Sequence, residues 1–170
     1  MVCARQIAAN RALIRDGVAR LRALDAPFAA TLARGSSDQA AAFGKFLFET
    51  RLGLPTLSHA PSTGALYGAT SAHFRGVPLI AISQSGRSPD LLRAAEDARR
   101  QGAVLVALVN DTASPMAQMA DILIPLMAGP ETSVAATKSF IASLCALLQL
   151  IAEWSRDAEL TRAVGALGDC

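Results

Sequence analysis

The 170-residue chain reads as an α/β protein, a three-layer α/β/α sandwich on a five-stranded parallel sheet. Two observations predict this. Short runs at 28–33, 55–58, 78–83, 104–109 and 122–125 read as strands, the clearest being apolar stretches ended by polar residues. Between them lie segments with apolar residues at helical spacing, and such alternation implies parallel strands joined by covering helices.

Residues 4–24 form an amphipathic helix with Ile7, Leu13, Ile14, Val18 and Leu21 on one side, although its partner surface cannot be read from sequence. Phe28 to Ala33 is the first strand, Arg34-Gly35-Ser36-Ser37-Asp38 a polar turn, and 38–52 a helix ended by Gly53. The second strand follows Pro55, with a helix expected near 63–72. Val77 to Ile82 leads through the turn Ser83-Gln84-Ser85-Gly86-Arg87-Ser88 into a helix over 89–101. There Leu91, Leu92, Ala95 and Ala98 recur among charges, and Gly102 ends the segment. Asn110-Asp111-Thr112 closes the fourth strand; loop chemistry and helix capping explain it best, ahead of a helix near 114–120. The fifth strand leads through Met127 to Ser133 into a long helix near 134–156, bearing Phe140, Leu144, Leu147, Leu148 and Ile151. Pro55, Pro78 and Pro125 fall near strand edges, where parallel sheets tolerate them.

Composition narrows the function classes. Apolar residues make up 52% and aromatics 5%, which suits closely packed helices on a sheet. A net charge of +2, with scattered arginines, calls for no nucleic acid. No apolar run reaches a membrane span, and the amino terminus lacks a signal-peptide core, so a cytoplasmic protein is expected. Cys3, Cys145 and Cys170 are too few and too dispersed for a disulfide framework or zinc site. Cys145 reads as a small core residue. Cys3 and Cys170 read as free or exposed ends, with a tie between them left open.

Two strand-to-helix turns carry the chemical signal. At 83–88, hydroxyls and an amide add uncharged donors where helix N–H groups and the dipole favour an anion. A plain helix cap by Ser88 or Ser85, with Pro89 in the first turn, is the commoner use of such residues. The similar turn at 34–38 tips the balance, because neighbouring strand-end turns converge on ligands in open α/β sheets.

Arg34-Gly35-Ser36-Ser37, Ser83-Gln84-Ser85-Gly86 and the segment Gly129-Pro130-Glu131-Thr132-Ser133-Val134-Ala135-Ala136-Thr137-Lys138-Ser139-Phe140 together resemble the sugar isomerase (SIS) domain family over residues 28–155. The resemblance implies a flavodoxin-like sandwich that binds a phosphorylated hexose or amino sugar without cofactor or metal. It implies that Ser83, Gln84, Ser85, Ser88 and Ser37 hold the phosphate, and that Gly35, Ser36, Val134, Ala136 and Lys138 line the sugar. Two departures stand out. Arg87-Ser88-Pro89 follows the deaminase-like branch, not the acidic-then-threonine pattern of glucosamine-6-phosphate synthases, and Ala136 replaces a synthase serine. Relatives of both kinds carry two SIS domains, with the catalytic apparatus largely in the second. The expected organisation is therefore an N-terminal helix over 1–27, a phosphosugar-binding domain over 28–156, and a helical tail over 157–170 leading to a second half.

Aldose–ketose chemistry also needs a base above C2. Glu131 and His59 are weak candidates, and the 59–64 loop adds hydroxyls that need a partner base of their own. Three readings follow: one half of an amino-sugar-phosphate isomerase or deaminase, a non-catalytic phosphosugar sensor, or a dimer-forming structural half-domain. Apolar surface on the first and long helices suggests a two-fold homodimer.

Overall fold

The computed structural model describes residues 2–62, 73–131 and 136–169. The chain runs α1 (Val2–Arg22), β1 (Ala29–Leu32), α2 (Ser36–Leu52), β2 (Thr56–Ser58), β3 (Pro78–Ser83), α3 (Pro89–Arg100), β4 (Val104–Val109), α4 (Pro115–Met119), β5 (Ile122–Pro125), α5 (Thr137–Ser155) and α6 (Ala158–Asp169). The helix expected near 63–72 lies outside the described residues, as do Val134 and Cys170.

The five strands form one sheet in the order β2-β1-β3-β4-β5, every pair parallel. Period-two alternation sorts the strand side chains between two cores. Ile80, Ile82, Val106 and Leu108 face α1, α2 and α5, whereas Leu79, Ala81, Leu105 and Ala107 face α3 and α4. Alanines 94, 95 and 98 let α3 lie close to its face. Leu147 and the T-shaped Phe48–Trp154 pair, with ring centroids 5.8 Å apart, bring α5 against α2. The result is the expected three-layer sandwich. Gly53 ends α2 in the left-handed region at φ +63°, with its N–H bonded to the Phe48 carbonyl.

α1 meets α5, α6 and β5, the contacts that sequence left unassigned. Ile7, Ile14, Val18 and Leu21 are buried, but Leu13 is half exposed and stands off the packed face. Amides pin the helix. Gln6 Nε2 donates to the Ala142 carbonyl at 2.9 Å, Gln149 Nε2 to Ile7 at 2.8 Å, and Asn10 Nδ2 to Pro125 at 2.8 Å. Such buried donors would be costly if left unpaired, so they fix where α1 sits.

Candidate functional site

Because all strands are parallel, their carboxyl ends share one edge of the sheet. The order reverses between β1 and β3, where the chain leaves neighbouring strands for helices on opposite faces, and ligands of open α/β sheets bind at such a crevice. α2 and α3 both start at this point. Neither has a side-chain cap: Gly35 caps α2 without a side chain, and Ser88 occupies the α3 cap position with its hydroxyl unbonded to the helix. α4 and α6 contrast with them. Ser114 Oγ accepts from Ala117 N–H, and Asp157 Oδ1 accepts from Glu159 and Leu160 N–H. The α2 and α3 N-termini at the crevice thus have first-turn N–H groups that no capping side chain takes, although Asp38 N–H bonds to the Gly35 carbonyl and Pro89 has none; α5, capped by Ala136, also lacks a side-chain cap bond.

The 83–88 turn is shaped from within. Ser83 is buried, and its Oγ accepts Gly86 N–H at 3.0 Å, so its oxygen closes the turn while its proton stays available. Ser85 Oγ accepts Arg87 N–H at 3.3 Å. Arg87 reaches across to Asp111 at 2.7 Å and, by hydrogen bonding, holds that carboxyl below its usual range. Among the described residues, the side chains of Gln84, Ser88, Ser36 and Ser37 have no hydrogen-bond partner. Ser37 lies in the first turn of α2, facing the same edge.

The other predicted residues are placed differently. Glu131 Oε1 accepts Ser139 N–H at 2.6 Å, a bond that holds the carboxyl below its usual range and fastens the loop to the start of α5. Lys138 Nζ donates back to the Pro130 carbonyl at 2.5 Å, and Ala136 is the α5 cap residue. His59 is half-buried, its ring edge-on to Phe74 at 5.2 Å, and burial lowers its pKa. Asn110 proves to be a clamp. Its Nδ2 donates to Gly129 and its Oδ1 accepts from Ala128, both at 2.8 Å, holding the loop after β5.

Sequence reasoning missed one pair. Arg34 Nη1 lies 2.7 Å from Asp90 Oδ2, joining the turn after β1 to the first turn of α3. Both line a cavity of about 430 Å³ with Gly35, Asp38, Pro61 and Ser62. Asp38 and Asp90 occupy the positive ends of α2 and α3, and Arg34 offsets one of them. The 56-residue separation left no local signal, although an acid in a first helical turn and an arginine beside a glycine turn were both visible. A larger cavity, about 570 Å³, lies between the amino-terminal half of α1 and the ends of β4 and β5, and Asn110 and Gly129 line it. The smaller cavity lies beside the starts of α2 and α3; of the predicted site residues Gly35 lines it, whereas Ser37, Ser83, Gln84, Ser85 and Ser88 are not in its lining.

The chain is thus a three-layer α/β/α domain in which the N-termini of α2 and α3 meet at the crevice between β1 and β3. The SIS-domain pattern matches residues 25–153, and the chain belongs to the SIS domain family. It is 36% identical over 140 residues to the isomerizing glutamine–fructose-6-phosphate aminotransferase of Halobacterium salinarum, covering 81% of this chain and 23% of that protein. A crystal structure of a candidate phosphosugar isomerase from Silicibacter pomeroyi superposes with a TM-score of 0.90 at 38% identity. That match covers 99% of this chain and 55% of the other. Glucosamine-6-phosphate deaminase of Thermotoga maritima shares the fold, with a TM-score of 0.71 at 18% identity over 97% of this chain and 53% of that one. The chain therefore spans about a quarter of the length of the aminotransferase and about half that of the solved structures.

Proposed function

We propose that this chain is the phosphosugar-binding half of an isomerase or deaminase acting on amino-sugar phosphates. In this reading the phosphate of a hexose 6-phosphate or amino-sugar 6-phosphate sits between the N-termini of α2 and α3. The observation that carries it is the pair of helices without side-chain caps at the β1–β3 crevice. Ser85, Ser88, Gln84 and Ser37 donate to the phosphate, Ser83 gives its remaining proton, and Gly35, Ser36, Val134, Ala136 and Lys138 border the sugar. The sugar-phosphate chemistry in the relatives' names supports the ligand class.

Anchoring a remote phosphate supplies binding energy that orients the reacting carbons. Proton transfer at C2 still needs a base. Glu131 is occupied by Ser139 N–H and depressed in pKa, which weakens it as a proton acceptor. Burial lowers the His59 pKa and so favours the neutral imidazole, but its ring is set edge-on against Phe74. The isolated chain therefore binds and scarcely turns over, with residues 28–156 as the binding unit and 157–170 leading toward a second half. Membranes retain a charged phosphosugar, so the compartment proposed is the cytoplasm. A two-fold dimer of this chain is proposed as well, and light scattering showing only monomer at micromolar concentrations would exclude it.

Calorimetric titration with glucosamine 6-phosphate and fructose 6-phosphate tests the reading, with the unphosphorylated sugars as controls. A hydrogen bond to a charged group contributes roughly 1.5–3 kcal/mol, so Ser85→Ala should weaken binding about tenfold or more. Equal affinities would remove Ser85 from the site, and equal binding of the free sugars would remove the phosphate. Release of fructose 6-phosphate and ammonia at roughly 1–10³ per second would overturn the half-enzyme reading.

A further inference from the structure

We propose that Cys3 and Cys145 form a reversible disulfide, a redox-modification site joining the first turn of α1 to the middle of α5. Both are free thiols here, with Sγ atoms 2.9 Å apart, about 1 Å beyond the ~2.05 Å of a bonded pair. The backbones around them are already held in place. Gln6 bonds to Ala142, three residues before Cys145, and Gln149, four residues after it, bonds to Ile7. These two bonds hold α1 and α5 together, at α5 positions on either side of Cys145.

The two sulfurs differ in access, which sets the order of reaction. Cys3 is partly exposed and Cys145 buried, and burial together with the neighbouring Cys3 pushes the Cys145 thiol up to about 12. A low-molecular-weight disulfide such as oxidised glutathione is the oxidant. Cys3 thiolate attacks one glutathione sulfur, the S–S bond breaks, and the departing thiolate takes up a proton. Cys145 then gives up its proton and attacks Cys3 Sγ, expelling the second glutathione. Two protein thiols lose two electrons and one oxidised glutathione becomes two reduced ones. Excess thiol reverses both steps through the accessible Cys3 side. Reversibility of this kind matches how disulfides are used where the surroundings are reducing.

The test uses the full chain. It is equilibrated with oxidised glutathione, alkylated under denaturing conditions, weighed intact and peptide-mapped. The expected product has lost two hydrogens, contains one cross-linked peptide pair holding Cys3 and Cys145, and reopens with dithiothreitol. Its thermal midpoint should exceed that of the reduced chain by roughly 5–15 °C, because the tie closes a long loop. Cys170→Ser should form the same link, and Cys3→Ser should form none. Accumulation of a glutathione adduct without cross-link, a Cys3–Cys170 link, or no reaction would each overturn the proposal. The wild-type peptide map decides the matter even if a Cys145 variant fails to fold.

Discussion

Replacing Gly86 by alanine would put a methyl carbon 2.2 Å from Ser114 Oγ and 2.7 Å from its Cβ, on a residue whose φ is +63°. Two costs add. An L-residue in the left-handed region costs roughly 1–2 kcal/mol, and forcing a methyl into a packed site costs roughly 1–3 more. Ser114 cannot step aside cheaply, since it is fully buried and its hydroxyl caps α4 through Ala117 N–H. The Gly86 carbonyl also accepts Met116 N–H, so a shift of the turn would disturb α4 as well. The expected loss is about 2–5 kcal/mol, a large share of the roughly 5–15 kcal/mol that holds a domain folded. Urea unfolding of wild type, Gly86→Ala, Ser114→Gly and the double variant measures it. Because glycine at 114 removes the colliding atoms, the double variant should cost at least about 1 kcal/mol less than the sum of the singles. A Gly86→Ala loss under about 0.5 kcal/mol, or strict additivity, would refute the claim that this contact is what requires glycine.

Two further outcomes follow from the site. Asp90→Asn removes a negative charge from the first turn of α3 and releases Arg34, so hexose 6-phosphate binding should tighten about two- to five-fold at low salt; weaker binding would count against a phosphate at that helix end. Burial lowers the His59 pKa, partly opposed by Asp97, so the unfolded chain takes up a proton first. Folded stability should then fall as pH drops through about 6.5 and level off once the folded imidazole also titrates. His59→Gln should remove that slope, and an unchanged profile between about pH 7.5 and 5 would show that His59 does not produce it.

Much of the sheet was legible because strand burial writes itself into composition. β3 and β4 are apolar on both faces, so their runs are unbroken and their ends marked by Ser83 and Asn110. Helix ends were equally local, as with Gly53 and Pro89. Roles inside the crevice were less readable. Sequence could not decide whether Ser88 caps α3, since that depends on a rotamer; the structure leaves its hydroxyl free of the helix and uses Ser83 to close the turn. Long-range pairings left no trace. Arg34 meets Asp90, and Cys3, read as a free end, meets Cys145 through packing of α1 on α5 that no periodicity reveals. The interior face of α1 was also drawn too wide, since Leu13 sits a turn-fraction away from the line of Ile7, Ile14 and Val18.

The packing of α1 separates two meanings of a domain. The stretch that ancestry marks begins at residue 25 and ends at 153. The stretch that must fold together is longer, since Ile14, Val18 and Leu21 share one core with Ile122 and Ile124. Gly17 comes so close to β5 that a Cβ there would lie 2.7 Å from Ile122 Cγ2. A polypeptide trimmed to its recognisable homology would keep every turn of the crevice yet leave one side of β5 and α5 bare to water. The family pattern thus spans the crevice, while part of the cohesion comes from a helix that lies outside it.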